Sequence, residues 1–438
     1  MTQIHPLQSL VNKHKEGKAL GICSVCSANQ FVLEAAINKG RKDNSLVLIE
    51  ATSNQVNQFG GYTGMNPVQF AEFVYSLADD AGLPRDRLVL GGDHLGPLVW
   101  KNDSAEIAME KACELIRQYV EAGFSKIHLD TSMRLGSDPT NQKLKLSEIA
   151  KRSEILFTTA EETYKKMQVE GKTSLIHPVY VIGSEVPIPG GAYEEEAFHV
   201  TPLSELKMTM EIFNDVFKQS KYRDSFNRVI AVVVQPGVEF SDRTVTEYRR
   251  TDAAEITKYV RQNKQLVLEG HSTDYQQASH LHQMAEDGIA ILKVGPALTF
   301  ALREALVALE HMESILIVND GDRSLSCFSE NLDSVMINKP KYWQNYYHGS
   351  EREQKTARLF SFSDRCRYYL NEPEVEEAIV RLIENLSSQE IPLALIRQYL
   401  PEQYWDIRTK KIENNVREII RSKIIREIER YPSFKISE

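Results

Sequence analysis

The chain has 438 residues, a formal net charge of −9, 42% hydrophobic residues and 26% charged residues. That length exceeds one ordinary small domain, and the composition is that of a globular protein. The acidic balance argues against a general nucleic-acid binder, which is usually basic.

The N-terminus, "MTQIHPLQSLVNKHKEGK", lacks the apolar core of a signal peptide. No apolar run is long enough to span a bilayer, so a cytoplasmic chain without a membrane partner is expected. The first strand-like run is "LGICSVCS" (20–27). It holds Cys23 and Cys26 in a C-x-x-C, with only three further cysteines in the chain. Residues three apart on a strand face opposite ways, so this pair reads as two buried strand cysteines rather than a redox or zinc motif. Seven more runs follow: "SLVLIEATS" (45–53), "LVLGGDH" (88–94), "KIHLDTS" (126–132), "VYVIGSEVP" (179–187), "RVIAVVVQPG" (228–237), "QLVLEGHSTD" (265–274) and "AILKVGPA" (290–297). Helical patterns such as "PVQFAEFVYSLADDAG" and "AEIAMEKACELIRQYVEAG" fill most of the intervals. Strands alternating with helices imply parallel pairing. Eight such units predict a (β/α)8 TIM barrel over 1–325. An open doubly wound sheet is the rival, disfavoured because no G-x-G-x-x-G follows the first strand. From 326 to 438 the strand rhythm stops, and a mostly helical C-terminal extension packed on the barrel is expected. Its last segment, "NVREIIRSKIIREIERY", has an Ile seam and reads as a surface helix.

In a barrel the chemistry sits at the C-terminal ends of the strands. Here those ends are polar. Strand two ends in Glu50, followed by a loop carrying Asn54 and Gln55; strand three ends in Asp93-His94, strand four in Asp130, strand five in Glu185 and strand six in Gln235. Strand seven carries Glu269 and His271, with Ser272 beyond, and strand eight carries Lys293. Alternation puts Val267, Glu269 and His271 on one face, and Ile291, Lys293 and Gly295 on another. If those faces point inward, the polar ends converge at the barrel mouth. Burying them without a shared task is costly. His128 and His311 each read as structural histidines.

Two chemistries suit these residue types. His94 and His271 with a carboxylate (Asp130, Glu185 or Glu269) form a divalent-metal set, with zinc the first choice and Mn, Mg, Co or Ni as alternatives. Asp93, beside His94, then moves protons. Alternatively, Lys293 forms a Schiff base with a ketose. Backbone amides near Ser272 and Gly295 suit a phosphate. Arg365 and Arg367, in "SFSDRCRYY", are within reach of the mouth from the extension. Asp93 and His94 are neighbours, so a regular strand turns only one of them to the axis. The two preceding glycines and the following Gly-Pro allow a bend that serves both.

"VCSANQFVLEAA", "LVLIEATSNQVNQFGGYTGM", "LGGDHLGP", "IHLDTSM", "GSEVPIPGGA", "VVVQPGVEF", "HSTDYQ" and "ILKVGPALTFALREAL" resemble the GatZ/KbaZ family, as do "YWQNYYHG", "SFSDRCRYYL" and "IPLALIRQYLP" near the C-terminus. The resemblance covers nearly the whole chain. It implies a barrel related to class II aldolases and a partner, the catalytic subunit of a D-tagatose-1,6-bisphosphate aldolase. The aldolase pattern of an Asp-His pair, a later Glu and two further metal histidines maps onto Asp93, His94, Glu185 and His271. Gln235 stands where the last histidine is expected. Some members are described as kinases, for which this sequence offers no Walker A motif. Others are described as C4 epimerases of fructose and tagatose 6-phosphates.

Two functions follow from the resemblance. One is a metal-dependent enzyme acting at C3–C4 of a ketose phosphate, with Asp93 and Glu185 catalytic. His94, His271 and Asp130 would hold the metal. Glu50, Asn54, Gln55, Gln235, Glu269, Ser272, Lys293 and Arg365 would contact the substrate. The alternative is a non-catalytic subunit that stabilises an aldolase. A homo-oligomer is compatible with both.

Overall fold

The computed structural model describes residues 4–140, 143–172, 176–183, 199–317 and 324–436. Among these residues ten strands run in chain order: β1 (Ile22–Val25), β2 (Val47–Thr52), β3 (Leu88–Leu95), β4 (Lys126–Leu129), β5 (Val179–Ile182), β6 (Val229–Val234), β7 (Glu239–Phe240), β8 (Val245–Thr246), β9 (Val267–Gly270) and β10 (Ile289–Val294). Eight of them, β1 to β6 with β9 and β10, close into one parallel barrel in which β10 pairs with β1. They are the eight runs read from the sequence. The short antiparallel pair β7–β8 lies between the sixth and seventh barrel strands and was not anticipated.

Local chemistry sets the helices between them. The helix Pro67–Ala81 starts on an Asn66–Gln69 capping box with Pro67 in its first turn, and stops at Gly82 in the left-handed region at φ 71°. The helix Ala105–Glu121 is capped by the Ser104 side chain. In the next barrel unit the long helix Leu146–Val169 packs against it and against the helix Leu203–Phe217.

Alternation along the strands divides the apolar residues into two cores. Outward residues such as Val25, Ile49, Leu90, Ile127, Ile182, Val232, Leu268 and Leu292 meet the surrounding helices. Inward residues near the strand starts, among them Ile22, Leu48, Val89, Val181, Val233, Val267 and Ile291, fill the lower barrel. Leu7, Leu10 and Val11 of the helix Pro6–Lys15 join that inner core together with Phe434. Both ends of the chain therefore close the floor. A fully buried Leu or Ile contributes about 1.5–3 kcal/mol, so the floor is a stability element and leaves the upper barrel free for polar groups.

After β10 and the helix Pro296–Leu316, six α-helices lie between Phe328 and Ile428 among the described residues. The last of them, Val416–Ile428, rests on the barrel helices Gln30–Asp43 and Pro296–Leu316. Its isoleucine seam is buried there, with Ile419, Ile420 and Ile424 at 0% exposure. Among the described residues no helix is long and apolar enough to cross a membrane.

Candidate active site

The bend that the Asp-His pair requires is present. β3 pairs with β4 as Gly92↔Ile127 and then Leu95↔Leu129, so β3 carries one extra residue in that interval. This is a bulge, which re-aims side chains. His94 occupies the left-handed region at φ 47°, and Asp93 and His94 both reach the interior of the barrel mouth. Two glycines permit this. A Cβ on Gly91 would lie 2.7 Å from Glu50 Cγ, and one on Gly96 would lie 1.7 Å from the Asp130 carbonyl oxygen.

Three imidazoles meet there. Ring centroids are 5.0 Å apart for His94 and His271, 5.1 Å for His94 and His128, and 5.4 Å for His128 and His271. With Asp93 they offer four donor atoms within 4.8 Å of one another, all from buried residues. His128 Nε2 is buried and has no hydrogen-bond partner among the described residues. A solvent-free nitrogen without a partner is costly, and a metal ion would satisfy it. Three imidazole nitrogens and one carboxylate suit zinc or a neighbouring transition ion, so the residues fit a divalent cation. Burial lowers the His271 pKa to about 4, despite Glu269 at 3.0 Å, which keeps the ring neutral as a ligand must be.

The sequence reading needs two adjustments in this cluster. The third imidazole comes from His128 on β4, which had read as structural; the position expected to lack it, Gln235, folds its Oε1 back onto the amides of Gly237 and Val238 at 3.0 and 3.2 Å. Asp130 stands behind the cluster. Its Oδ2 is 2.9 Å from His94 Nδ1, while Oδ1 accepts from the Ser132 amide and hydroxyl. This is the carboxylate–histidine arrangement that orients a ligating ring. Burial alone would raise the Asp130 pKa, but the bond to His94 outweighs it and holds the carboxyl at about 2.

Below the histidines lies a layer of buried charge. Lys126 Nζ, fully buried, is 2.8 Å from Glu50 Oε1 and 2.8 Å from Glu269 Oε2. Lys293 Nζ is 2.8 Å from both Glu50 Oε2 and Asp93 Oδ1. Glu50 also accepts from the Ser24 hydroxyl. Burial opposes the charge on Lys293, but Asp93 and Glu50 outweigh it and raise the pKa well above the usual range. An amine held protonated is a poor nucleophile, which argues against the Schiff-base scheme. In turn Asp93 is buried, but His94 and Lys293 hold it well below the usual carboxylate range. His128 Nδ1 lies 2.9 Å from Asp93 Oδ1.

A cavity of about 110 Å³ opens above this layer. Asn54, Gln55, Ser272 and Lys293 line it beside Asp93, His94 and His271. Glu50 and Glu269 lie beneath it. Glu185 falls outside the described residues. Arg365 is turned into the extension, where its guanidinium donates to the Tyr342 carbonyl at 3.1 Å. Arg367 lines the cavity instead, with Tyr368. Sequence reasoning missed Lys126 and His128 of the charged layer and ligand cluster, and Tyr62, Asp274 and Tyr368 of the cavity lining. The signal for the first two was alternation: Lys126, His128 and Asp130 share one face of the fourth strand.

Residues 7–434 match the family described as "D-tagatose-1,6-bisphosphate aldolase subunit GatZ/KbaZ-like". Over 399 residues the chain is 46% identical to the D-tagatose-1,6-bisphosphate aldolase subunit GatZ of Salmonella heidelberg (strain SL476), covering 91% of this chain and 92% of that one. The GatZ of Salmonella agona (strain SL483) is similar to the same extent, 46% over 399 residues. A crystal structure described as a probable tagatose 6 phosphate kinase from Sinorhizobium meliloti 1021 matches with a TM-score of 0.85 at 39% identity, covering 94% of this chain and 99% of that one.

Proposed function

Because the chain belongs to the GatZ/KbaZ-like family of D-tagatose-1,6-bisphosphate aldolase subunits, we propose that it serves as a subunit of such an aldolase and that its own barrel handles a ketose phosphate. The family supports the subunit role. The four-donor cluster Asp93, His94, His128 and His271 supports a second reading, in which the chain interconverts fructose 6-phosphate and tagatose 6-phosphate at C4.

A divalent cation held by His94, His128 and His271 of that cluster would supply Lewis-acid polarisation of the ketose carbonyl, leaving Asp93 for the proton. Asp93 takes the proton of the C4 hydroxyl as the C3–C4 bond breaks, and returns it when the bond re-forms on the other face of the aldehyde. Lys293, 2.8 Å away, keeps Asp93 ionised for that task. Asp130 orients His94, and Glu269 orients His271. The same residues serve cleavage or epimerisation, depending on whether the aldehyde leaves.

The test has two arms. Purified chain is incubated with fructose 6-phosphate, with EDTA or with added zinc or manganese. It is also mixed with a catalytic aldolase subunit, and the half-life of aldolase activity is followed. Metal-dependent formation of tagatose 6-phosphate by the chain alone would establish the second reading and end a purely structural one. A longer-lived aldolase without turnover by the chain alone would leave only the subunit role. An aldolase indifferent to the chain would overturn that role.

A further inference from the structure

Beside the main cavity, between the loop after β1, the start of the helix Pro296–Leu316 and the extension, lies a smaller recess. Its polar lining is Ser27, Asn29, Gln55, Thr299, Arg367 and Asn371. Cys26, Gln55, Tyr62, Gly295 and Arg367 line both spaces, so the two adjoin. Their charges differ. The main cavity holds Asp93, Asp274 and a Lys293 already neutralised by carboxylates. Among the described residues the recess lining has one cation, Arg367, which it shares with the main cavity, and no carboxylate.

Arg367 is delivered there by a built support. Asp364, in the left-handed region at φ 43°, begins the short helical turn Arg365–Tyr369. Its carboxylate is fixed by Arg303 Nε at 3.0 Å and by the Thr299 hydroxyl at 2.7 Å, both from the barrel helix Pro296–Leu316. The extension is thus locked to the barrel three residues from Arg367. The Arg367 guanidinium donates to the carbonyls of Ser363 and Asp364 and, at 2.7 Å, to the Tyr368 hydroxyl. None of these acceptors is a carboxylate, and a guanidinium has five N–H donors. Burial opposes its charge; the phenols Tyr368 and Tyr62 favour it, as does the Asp364 carboxylate, which accepts its own hydrogen bonds from Thr299 and Arg303 rather than from Arg367. The amides at the start of the helix Pro296–Leu316 are not the attraction, because Asp274 already accepts from Gly295 and Ala297 at 3.0 and 2.8 Å.

We infer that this recess takes the phosphate end of the substrate and that Arg367, from the extension, is the residue that selects phosphorylated over free sugars. The inference rests on the ketose-phosphate reading above and adds where the phosphate lies. A guanidinium without a carboxylate partner binds phosphate oxygens strongly through charge-assisted hydrogen bonds. The arrangement also gives the extension a role in substrate choice. Its phosphate contact differs from the one expected around Ser272, and from Arg365.

The experiment is calorimetric titration of the full chain with fructose 6-phosphate and with fructose, for wild type, Arg367→Met, Arg367→Lys and Asn371→Asp. Wild type is expected to bind the phosphate ester at least about ten-fold more tightly than fructose. Arg367→Met should remove that preference and leave fructose binding unchanged, while Arg367→Lys keeps part of it. Asn371 is exposed, so Asn371→Asp leaves the fold intact and sets a negative charge at the recess. It should weaken fructose 6-phosphate by several-fold and spare fructose, and it decides the matter if Arg367→Met does not fold. An undiminished phosphate preference in the folded variants, or none in wild type, overturns the inference. Turnover and aldolase stabilisation are read separately, so a chain that prefers the ester but passes neither assay would refute the proposed function alone.

Discussion

At the scale of single residues, the proposed cation site gives His128 and Asp130 different tasks. His128 presents a buried Nε2 with no hydrogen-bond partner among the described residues. Among the described residues, Asp130 touches the ligand set through His94 Nδ1, at 2.9 Å. Removing a donor and loosening one are different losses. Asp130→Asn is expected to weaken zinc or manganese binding by about 10–100-fold, the usual cost of a lost orienting carboxylate. His128→Ala should weaken it further. Titration of metal-stripped protein checks both, and wild-type affinity in His128→Ala would remove His128 from the set. Lys126 works on the layer below. It is the shared cation of Glu50 and Glu269, at 2.8 Å from each and fully buried. Lys126→Met leaves both carboxylates short of charge compensation, so urea unfolding should show a loss of about 3–5 kcal/mol. A loss under about 1 kcal/mol would mean that Lys293 compensates them alone.

At the scale of elements, the site depends on β3 being irregular. Gly91 makes room for Glu50, and the bulge at Asp93-His94 turns two neighbours to one side. Gly91→Ala sets a methyl 2.7 Å from Glu50 Cγ, and is expected to cost about 1–3 kcal/mol by overpacking and to reduce metal affinity by displacing the strand. A thermal melt and a metal titration together check this; an unchanged melt would show that Glu50 yields freely. The same strand shows what could be read in advance. The Asp-His pair, the eight strands and the inward Glu269 and Lys293 were legible because strand alternation and turn chemistry are local. His128 was not read as a ligand, although alternation sets it on one face of β4 with Lys126 and Asp130, because nothing local says that this face turns inward. Its polar face turns inward because Glu50 and Glu269, from other strands, compensate Lys126. That pairing is non-local. Arg365 and Arg367 are two residues apart on one short turn, and Asp364 at positive φ sets which of them meets the cavity.

At the scale of the whole molecule, the chain's end is tied to its mouth and its floor. Tyr431 donates its hydroxyl to the Thr273 carbonyl at 2.9 Å, just beyond strand β9, and the Leu46 amide donates to the Phe434 carbonyl at 2.7 Å. Glu427, on the last helix, is caught in this junction. Burial raises its pKa from 4.5 to about 7; Asp274 of the barrel and Glu304 add to the rise, against Arg430 and Lys423. Its folded pKa is therefore above its unfolded one. Between pH 4.5 and about 7 the folded chain binds more protons at this site than the unfolded chain. Stability must then fall as pH rises through that window. The contribution is intact below pH 4.5 and lost above about 7, a difference of up to about 3 kcal/mol at 1.36 kcal/mol per unit. Glu427→Gln keeps the shape and cannot ionise. Urea unfolding at pH 5 and pH 8 should therefore show a smaller decline for the variant than for wild type, with the variant the more stable at pH 8. Equal declines would mean that Glu427 reaches solvent when charged, and that the extension is not held against the barrel tightly enough to desolvate it.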